Sequence, residues 1–260
     1  MVICSLNRPE KLKNLLHHLD LQTFTNFETI IIDREAPLVE CRDEGWRKAR
    51  GTYVVFFDDD VEPFHDYLEN ILKSFKWDDE VPVVGVSGPT IVPNHYLKNR
   101  DAFRDDWLGK LYRWFFMGDK AMEPGLILPC GIATIGANFP IESNITKLVD
   151  FLEPSAFAVR RSTMEQVGGF DKGFGGVAEW SDVDACFRMK KFGYLIWNPK
   201  CEVFHKPEKG KTYNKRLDTD SRYRNFLRFS KRHLKPTFKG YLYRVFLWTY
   251  FKLKGLKCNH

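Results

Sequence analysis

A mostly parallel α/β sheet flanked by helices, with a helical C-terminal tail, is the fold class the sequence predicts. Three observations carry this. Short, continuous apolar runs recur through the first half of the chain, as in strands buried on both faces. Stretches with apolar residues at helical spacing separate them. Asn and Asp collect where the apolar runs end, and in such sheets ligands bind beyond the carboxyl ends of the strands.

The elements follow in order. Val2 to Cys4 is a strand. Asn7-Arg8-Pro9-Glu10 reads as a helix start, with Asn7 as a polar cap, an early proline and an acid in the first turn. Leu12, Leu15, Leu16 and Leu19 give that helix its apolar face. Thr29 to Ile32 is a second strand, ending at Asp33, and Glu40 to Arg50 a helix stopped by Gly51. Thr52 to Phe57 is a third strand, ending at Asp58-Asp59-Asp60. Phe64, Leu68, Ile71, Leu72 and Phe75 mark another helix, and Val83 to Ser87 a fourth strand. The stretch from Pro89 to Lys147 is rich in aromatic residues, Gly and Pro and is assigned no regular element; within it Gly136 to Pro140 is a candidate acceptor loop. Later, Asp182 to Phe192 reads as a helix ended by Gly193, Tyr194 to Asn198 as a strand, and Glu202 to Phe204 as a short strand ending at His205.

Composition narrows the function classes. At 260 residues with 43% hydrophobic content, one large domain plus an appendage is expected. We place one domain at 1–215, divided into halves at 1–90 and 91–215, and an extension at 216–260. The net charge of +6 suits an anionic ligand or an acidic membrane surface. No recognition motif or charge stripe supports nucleic-acid binding. Six cysteines without a CxxC pair argue for buried thiols rather than a zinc site or a disulfide framework. The chain starts on its first strand and has no apolar run of membrane-spanning length, which leads us to expect a cytoplasmic protein.

The strongest chemical signal is Asp58-Asp59-Asp60. Three carboxylates at a buried strand end repel one another, and a divalent cation is the natural counter-charge. Side chains alternate along an extended backbone, so Asp59 is expected to point away from Asp58 and Asp60.

Taken in order, several segments resemble glycosyltransferase family two, whose members are inverting, nucleotide-sugar-dependent enzymes with the Rossmann-like GT-A fold. Cys4-Ser5-Leu6-Asn7-Arg8-Pro9 resembles the family's first strand and turn, and Ile30-Ile31-Ile32-Asp33 its second strand. Arg42 to Gly51, followed by Phe56 to Asp60, resembles the arginine-bearing helix that leads into the metal-binding DxD motif. Ala158 to Ser162 and Gly168 to Asp171 are similar to the stretch before the catalytic acid. Asp182 to Arg188, with Phe192-Gly193-Tyr194, is similar to the acceptor-side helix, and Val203-Phe204-His205 to the late metal-ligand histidine. The approach Val149 to Leu152 also resembles rhamnosyltransferase-like members. The resemblance covers about Val2 to His205.

That resemblance implies a nucleotide-binding half at 1–90 and an acceptor-side half at 91–215. It implies Asp58, Asp60 and His205 as ligands of Mn²⁺ or Mg²⁺, and Asn7, Asp33, Arg42, Asp58 and Asp59 on the side of a UDP-, GDP- or dTDP-linked donor. Asn7 equally well only caps its helix, and Asp59 supports its neighbours. The general base is Asp182, or Glu179 in reserve. The family has Glu-Asp before this helix, whereas here Ser181 stands beside Asp182. Trp180 is placed for acceptor contact or for core packing. The acceptor implied is a glycan or a lipid-linked sugar. A nucleotidyltransferase, or a binding module that has lost catalysis, remains the competing reading.

The tail from Arg222 to Lys257 is basic and aromatic. Phe238, Tyr241, Leu242, Val245, Phe246 and Trp248 form an apolar helical face ringed by Lys235, Lys239, Arg244, Lys252, Lys254 and Lys257. This pattern suits an interfacial helix on a membrane surface. Packing on the domain, or on a second copy, is the alternative.

Overall fold

The computed structural model describes residues 1–93, 106–134, 144–176, 178–206 and 218–258, with side chains through residue 253. Gly136 to Pro140 lie outside the described residues. The elements in chain order are β1 (Val2–Ser5), α1 (Pro9–Asp20), β2 (Ile30–Asp33), α2 (Leu38–Lys48), β3 (Tyr53–Asp58), β4 (Val61–Pro63), α3 (Tyr67–Ser74), β5 (Val83–Ser87) and β6 (Thr90–Ile91). After them comes α4 (Trp107–Tyr112), which runs on through a π-helical turn at Arg113–Met117 and a 3₁₀ turn at Gly118–Met122. The second half contributes β7 (Lys147–Leu148), β8 (Ala156–Arg160), α5 (Arg161–Gln166), α6 (Ser181–Met189), β9 (Tyr194–Trp197) and β10 (Val203–His205). Two helices, α7 (Thr219–His233) and α8 (Phe238–Cys258), close the chain.

Seven strands form the main sheet in the order β2-β1-β3-β8-β5-β9-β7. The pairs β1–β2, β1–β3 and β5–β9 are parallel, while β8 runs antiparallel between β3 and β5, and β7 antiparallel against β9. Five strands therefore share one direction, and the sheet is more mixed than a repeating strand–helix pattern suggests. The insertion of β8 is the reason: its apolar run Ala156 to Val159 carries no local mark of direction. A second sheet has the order β4-β10-β6.

Alternation along the strands builds a core on each face. Val2, Val54 and Phe56 pack with Val39 and Trp46 of α2 and with Val183, Ala185, Cys186 and Met189 of α6. Ile3, Val55 and Phe57 pack on the other face with Leu15 and Leu19 of α1 and Leu68 and Ile71 of α3. A third cluster joins Met117, Cys130 and Ile132 to Phe226 of α7 and Tyr243 of α8.

Register decides what the carboxyl edge carries. Val2 pairs with Ile30 and Phe56, so Ser5 comes beside Asp33 and Cys4 beside Asp58. In the second sheet His205 pairs with Val61, which sets it next to Asp60. Two expected features differ. Asn7 does not cap α1: the N-cap is Arg8, without a side-chain cap bond, and Asn7 has φ 54°. Asn tolerates that left-handed geometry, which turns the chain sharply out of β1. The helix expected from Asp182 to Phe192 runs instead from Ser181 to Met189, with Trp180 as N-cap.

Helix α2 reaches the sheet through Gly45. A Cβ there would come within 2.2 Å of Cγ1 of Val2, a fully packed side chain. Gly45→Ala gains up to about 1 kcal/mol of helix propensity but overpacks a site where such insertions cost about 1–3 kcal/mol. We expect a net fall in Tm. An unchanged or raised Tm would show that α2, and with it Arg42, is not held by this close approach.

Candidate active site

Asp58 is the last residue of β3, and its backbone N–H donates to Ser155 O at 2.9 Å. Its Oδ1 accepts from Arg42 Nη2 at 3.0 Å. Arg42 is buried, and the same nitrogen donates to Pro154 O at 2.7 Å, so the α2 guanidinium is fixed between two segments of the edge.

Asp59 lies in the turn after β3, beyond the extended backbone on which side chains alternate, and its side chain is buried. It accepts from Ser5 Oγ at 2.9 Å and from Arg8 Nη1 at 2.6 Å. Burial pushes its carboxyl up to about 6, against the opposing pull of Arg8 and Ser5. Asp60 follows in the same turn. Its Oδ2 accepts from Arg8 Nη2 at 2.8 Å, and its Oδ1 lies 3.1 Å from His205 Nε2. Burial works against ionisation of Asp60, but the hydrogen bonds and charges of His205 and Arg8 outweigh it and hold the group down to about 2. Arg8 thus bridges two successive carboxylates with one planar fork.

Asp58, Asp60 and His205 come together: one ligand atom from each lies within 4.8 Å of the others. Two carboxylate oxygens and an imidazole nitrogen fit a divalent cation, and the nitrogen suits Mn²⁺ better than Mg²⁺, which prefers oxygen alone. Burial would lower the basicity of His205. The Asp60 hydrogen bond, with the charges of Asp60, Asp58 and buried Glu153, raises it instead. A proton and a metal therefore compete for this imidazole.

From the second half of the chain, α6 brings Asp182. Ala178 and Trp180 just before it have φ 57° and 73°. Two non-glycine residues in the left-handed region store roughly 1–3 kcal/mol each, and the strain sits at the turn that delivers Asp182. Its carboxylate is buried and its pKa raised. Burial is the main cause, opposed by Arg42 and by the helix N–H groups of Asp182 and Val183, and assisted by Asp58. Asp182 thus lies within the fields of the same Arg42 and Asp58 that define the strand edge.

Other predicted residues are placed differently. Glu179 accepts from Arg222 Nε of α7 at 2.8 Å and is neutralised as an ion pair. Trp180 stacks on Phe229 at 4.9 Å and tilts against Phe226, which is a packing role within the fold. Asp33 and Asn7 are exposed at the same strand edge. Arg8 and Glu153 were not singled out from sequence. The clue to Arg8 was there: three adjacent acids need a cation, and the turn after the neighbouring strand supplies one.

Asp182 yields a stability test that needs no substrate. Its folded pKa lies above the unfolded value near 3.8, so the folded state carries a penalty at neutral pH that disappears once the group is protonated. Asp182→Asn should therefore raise Tm at neutral pH, and the gain should shrink as pH falls into the ordinary carboxylate range. A lower Tm at neutral pH would mean that Arg42 depends on the Asp182 charge more than burial opposes it.

No curated protein matches the chain in sequence. Residues 38–162 match the family model described as Glycosyl transferase family 2. Among solved structures, the chain is similar to the mannosyltransferase PcManGT from Pyrobaculum calidifontis in complex with GDP-Man and Mn²⁺. That match has TM-score 0.56 and 14% identity, over 96% of this chain and 68% of that one. It is also similar to GalNAc-T7 with UDP, GalNAc and Mn²⁺, with TM-score 0.54 and 14% identity, over 88% of this chain and 47% of that one. The chain thus spans about half the length of the second structure. It has the GT-A fold of these glycosyltransferases, and the segment from Arg42 to Asp60 lies inside its match to glycosyl transferase family 2.

Proposed function

We propose that the chain is an inverting glycosyltransferase that moves a sugar from a nucleotide-sugar donor to a hydroxyl of a glycan or lipid-linked acceptor. One observation carries this reading: the cation-fitting trio Asp58, Asp60 and His205 sits at the sheet's carboxyl edge, and a buried carboxylate from the other half, Asp182, shares Arg42 with it. The match of residues 38–162 to a glycosyltransferase family, and two similar folds bound to nucleotides and Mn²⁺, support it.

Asp58, Asp60 and His205 would hold Mn²⁺, with Mg²⁺ the less suited ion. When bound, it supplies Lewis-acid neutralisation of the departing diphosphate. The protein's residues do the rest. Asp33 and Asn7, exposed at the edge of residues 1–90, face the nucleoside. Arg42 keeps Asp58 oriented, and Asp59, tied to Ser5 and Arg8, sets the backbone from which Asp58 and Asp60 project. Asp182 takes the proton from the acceptor hydroxyl as its oxygen bonds to the anomeric carbon, while the bond from that carbon to the diphosphate breaks on the opposite face. A base whose pKa burial raises is stronger than an ordinary carboxylate, and the positive charge of Arg42 opposes that rise. Glu179, the reserve candidate, is paired with Arg222, which favours Asp182 for this role. Residues 91–215 form the acceptor side, and the chain acts in the cytoplasm or peripherally at its membrane.

A thermal-shift screen of UDP-, GDP- and dTDP-sugars, with and without Mn²⁺, tests the donor site. The dTDP-sugars are included because of the likeness to rhamnosyltransferases. A true donor raises Tm, and Asp60→Asn removes the metal-dependent part of the rise. If no nucleotide sugar shifts Tm even with Mn²⁺, the donor assignment is wrong.

Transfer itself is tested with Asp182→Asn. We expect the donor-induced shift to persist and the transfer rate to fall about 10²–10⁴-fold, the range for loss of a general base. The wild-type rate should fall with acid along a limb centred above the ordinary value of 3.8. Transfer by Asp182→Asn within tenfold of wild type would show that Asp182 is not the general base.

A further inference from the structure

We infer that α4 with its π-helical turn, and the C-terminal helix α8, together form a two-helix face that lies on an anionic lipid surface. The tail alone suggests an interfacial helix. The structure adds a second, sequence-distant element and fixes the two side by side.

The inner faces of the helices interlock. Tyr112 and Phe116 pack against Phe246 at ring-centroid distances of 5.3 and 6.0 Å, and Phe116 meets Tyr243 at 5.5 Å. Lys239 Nζ donates to Phe115 O at 3.2 Å and lies 5.3 Å from the centre of the Phe115 ring. Tyr243 and Phe251 are buried, so α8 is held by one stripe and presents another to solvent.

The outer stripes are strongly apolar. Trp107 and Trp114 are 70% and 73% exposed, with Leu108 and Leu111 beside them at helical spacing. On α8, Phe238 is 77% exposed, and Tyr241, Val245 and Trp248 continue the row at steps of three and four residues. Indole and phenol rings of this kind prefer the headgroup level of a bilayer, where one side is apolar and the other wet.

Charge selects lipid over a protein partner. From Trp107 to Met117 the chain has Lys110 and Arg113 and no acid; from Phe238 to Cys258 it has Lys239, Arg244, Lys252, Lys254 and Lys257 and again no acid. Aromatic rings interleaved with cations match an anionic headgroup layer; the nearest acids, Asp106 at the α4 N-cap and Asp119 in the 3₁₀ turn, flank the stretch from Trp107 to Met117, and on α8 Lys252 is paired with Asp220 of α7. No described helix is long and apolar enough to cross a membrane, so the contact is with the surface.

The face is joined to the active-site helix by aromatic packing. Trp180, at the head of α6, tilts on Phe226 at 5.4 Å, and Phe226 meets Tyr243 of α8 at 5.5 Å. Docking would therefore set the Asp182 side of the site at a fixed place relative to the bilayer.

Flotation of the full chain with vesicles tests this, without donor or acceptor, so its outcome is separate from that of the transfer reaction. Vesicles of phosphatidylcholine alone are compared with an equal mixture of phosphatidylcholine and phosphatidylglycerol. We expect binding to the mixed vesicles, weakened by salt. We expect about a tenfold or greater loss of binding in Trp107→Ser/Trp114→Ser, and again in Phe238→Ser/Trp248→Ser. These side chains are exposed, and an unchanged Tm confirms that each variant folds. Absence of binding by the wild type overturns the proposal. So does wild-type binding by the Trp107/Trp114 variant, which would leave α8 as the sole anchor. Self-association in light scattering that the same substitutions abolish, with no vesicle binding, would assign the face to a second copy instead.

Discussion

Everything at the carboxyl edge depends on the repulsion among Asp58, Asp59 and Asp60. At about 4 Å and an effective dielectric near 20, each such pair repels by about 4 kcal/mol. The fold answers with two guanidinium groups and an imidazole, from three places. Arg8, in the turn after β1, takes Asp59 with one nitrogen and Asp60 with another. Arg42, from α2, takes Asp58. His205, from β10, takes Asp60. None of these partners is near the acids in sequence, so the acid cluster ties the first strand, the second helix and the end of the domain to one point.

The small second sheet makes sense in this light. Its strands are two or three residues long and could not stand alone. What it does is fix register: β10 antiparallel to β4 places His205 opposite Val61, one residue past Asp60, and Lys206 N–H donates to Asp60 O at 3.0 Å. An imidazole carried by a free loop would be raised in basicity by the same carboxylates and would drift toward the nearest one. Pairing it to the strand that follows the acids keeps its Nε2 within reach of both Asp58 and Asp60. Preorganisation of this sort is what a metal site needs before the metal arrives.

The parts of this arrangement legible in the sequence were those with a local signature. Val83 to Ser87 could be read to the residue, because a valine-rich run bracketed by Pro82 and by Gly88-Pro89 has few alternatives. The acids at the ends of β2 and β3 announced the edge for the same reason. What could not be read depended on distant partners. The antiparallel course of β8 is set by its neighbours β3 and β5, not by Ala156 to Arg160. Asn7 looked like a helix cap because caps and left-handed turns favour the same residue. The division of the tail into α7 and α8 was hidden because α7 carries Arg222, Arg224, Arg228, Lys231 and Arg232 around its buried Phe226 and Phe229.

The placement of Ser181 shows how those distant partners reassign chemistry. The resemblance to family two puts a glutamate where Ser181 stands, and the nearest glutamate, Glu179, is two residues away. Helix α7 treats the acids around the start of α6 differently. Arg222 pairs with Glu179, while Arg232 and His233 hold fully buried Asp184 at 2.7 and 2.8 Å. Asp182, between them, receives none of these cations and is left with Arg42 across the sheet edge. Burial raises the pKa of Asp182, whereas His233, Arg188 and Arg232 hold that of Asp184 down against its burial, and Glu179 is ion-paired with Arg222 of the tail. The C-terminal helices are in this sense part of the electrostatics around Asp182, although among the described residues none of theirs belongs to the trio Asp58, Asp60 and His205.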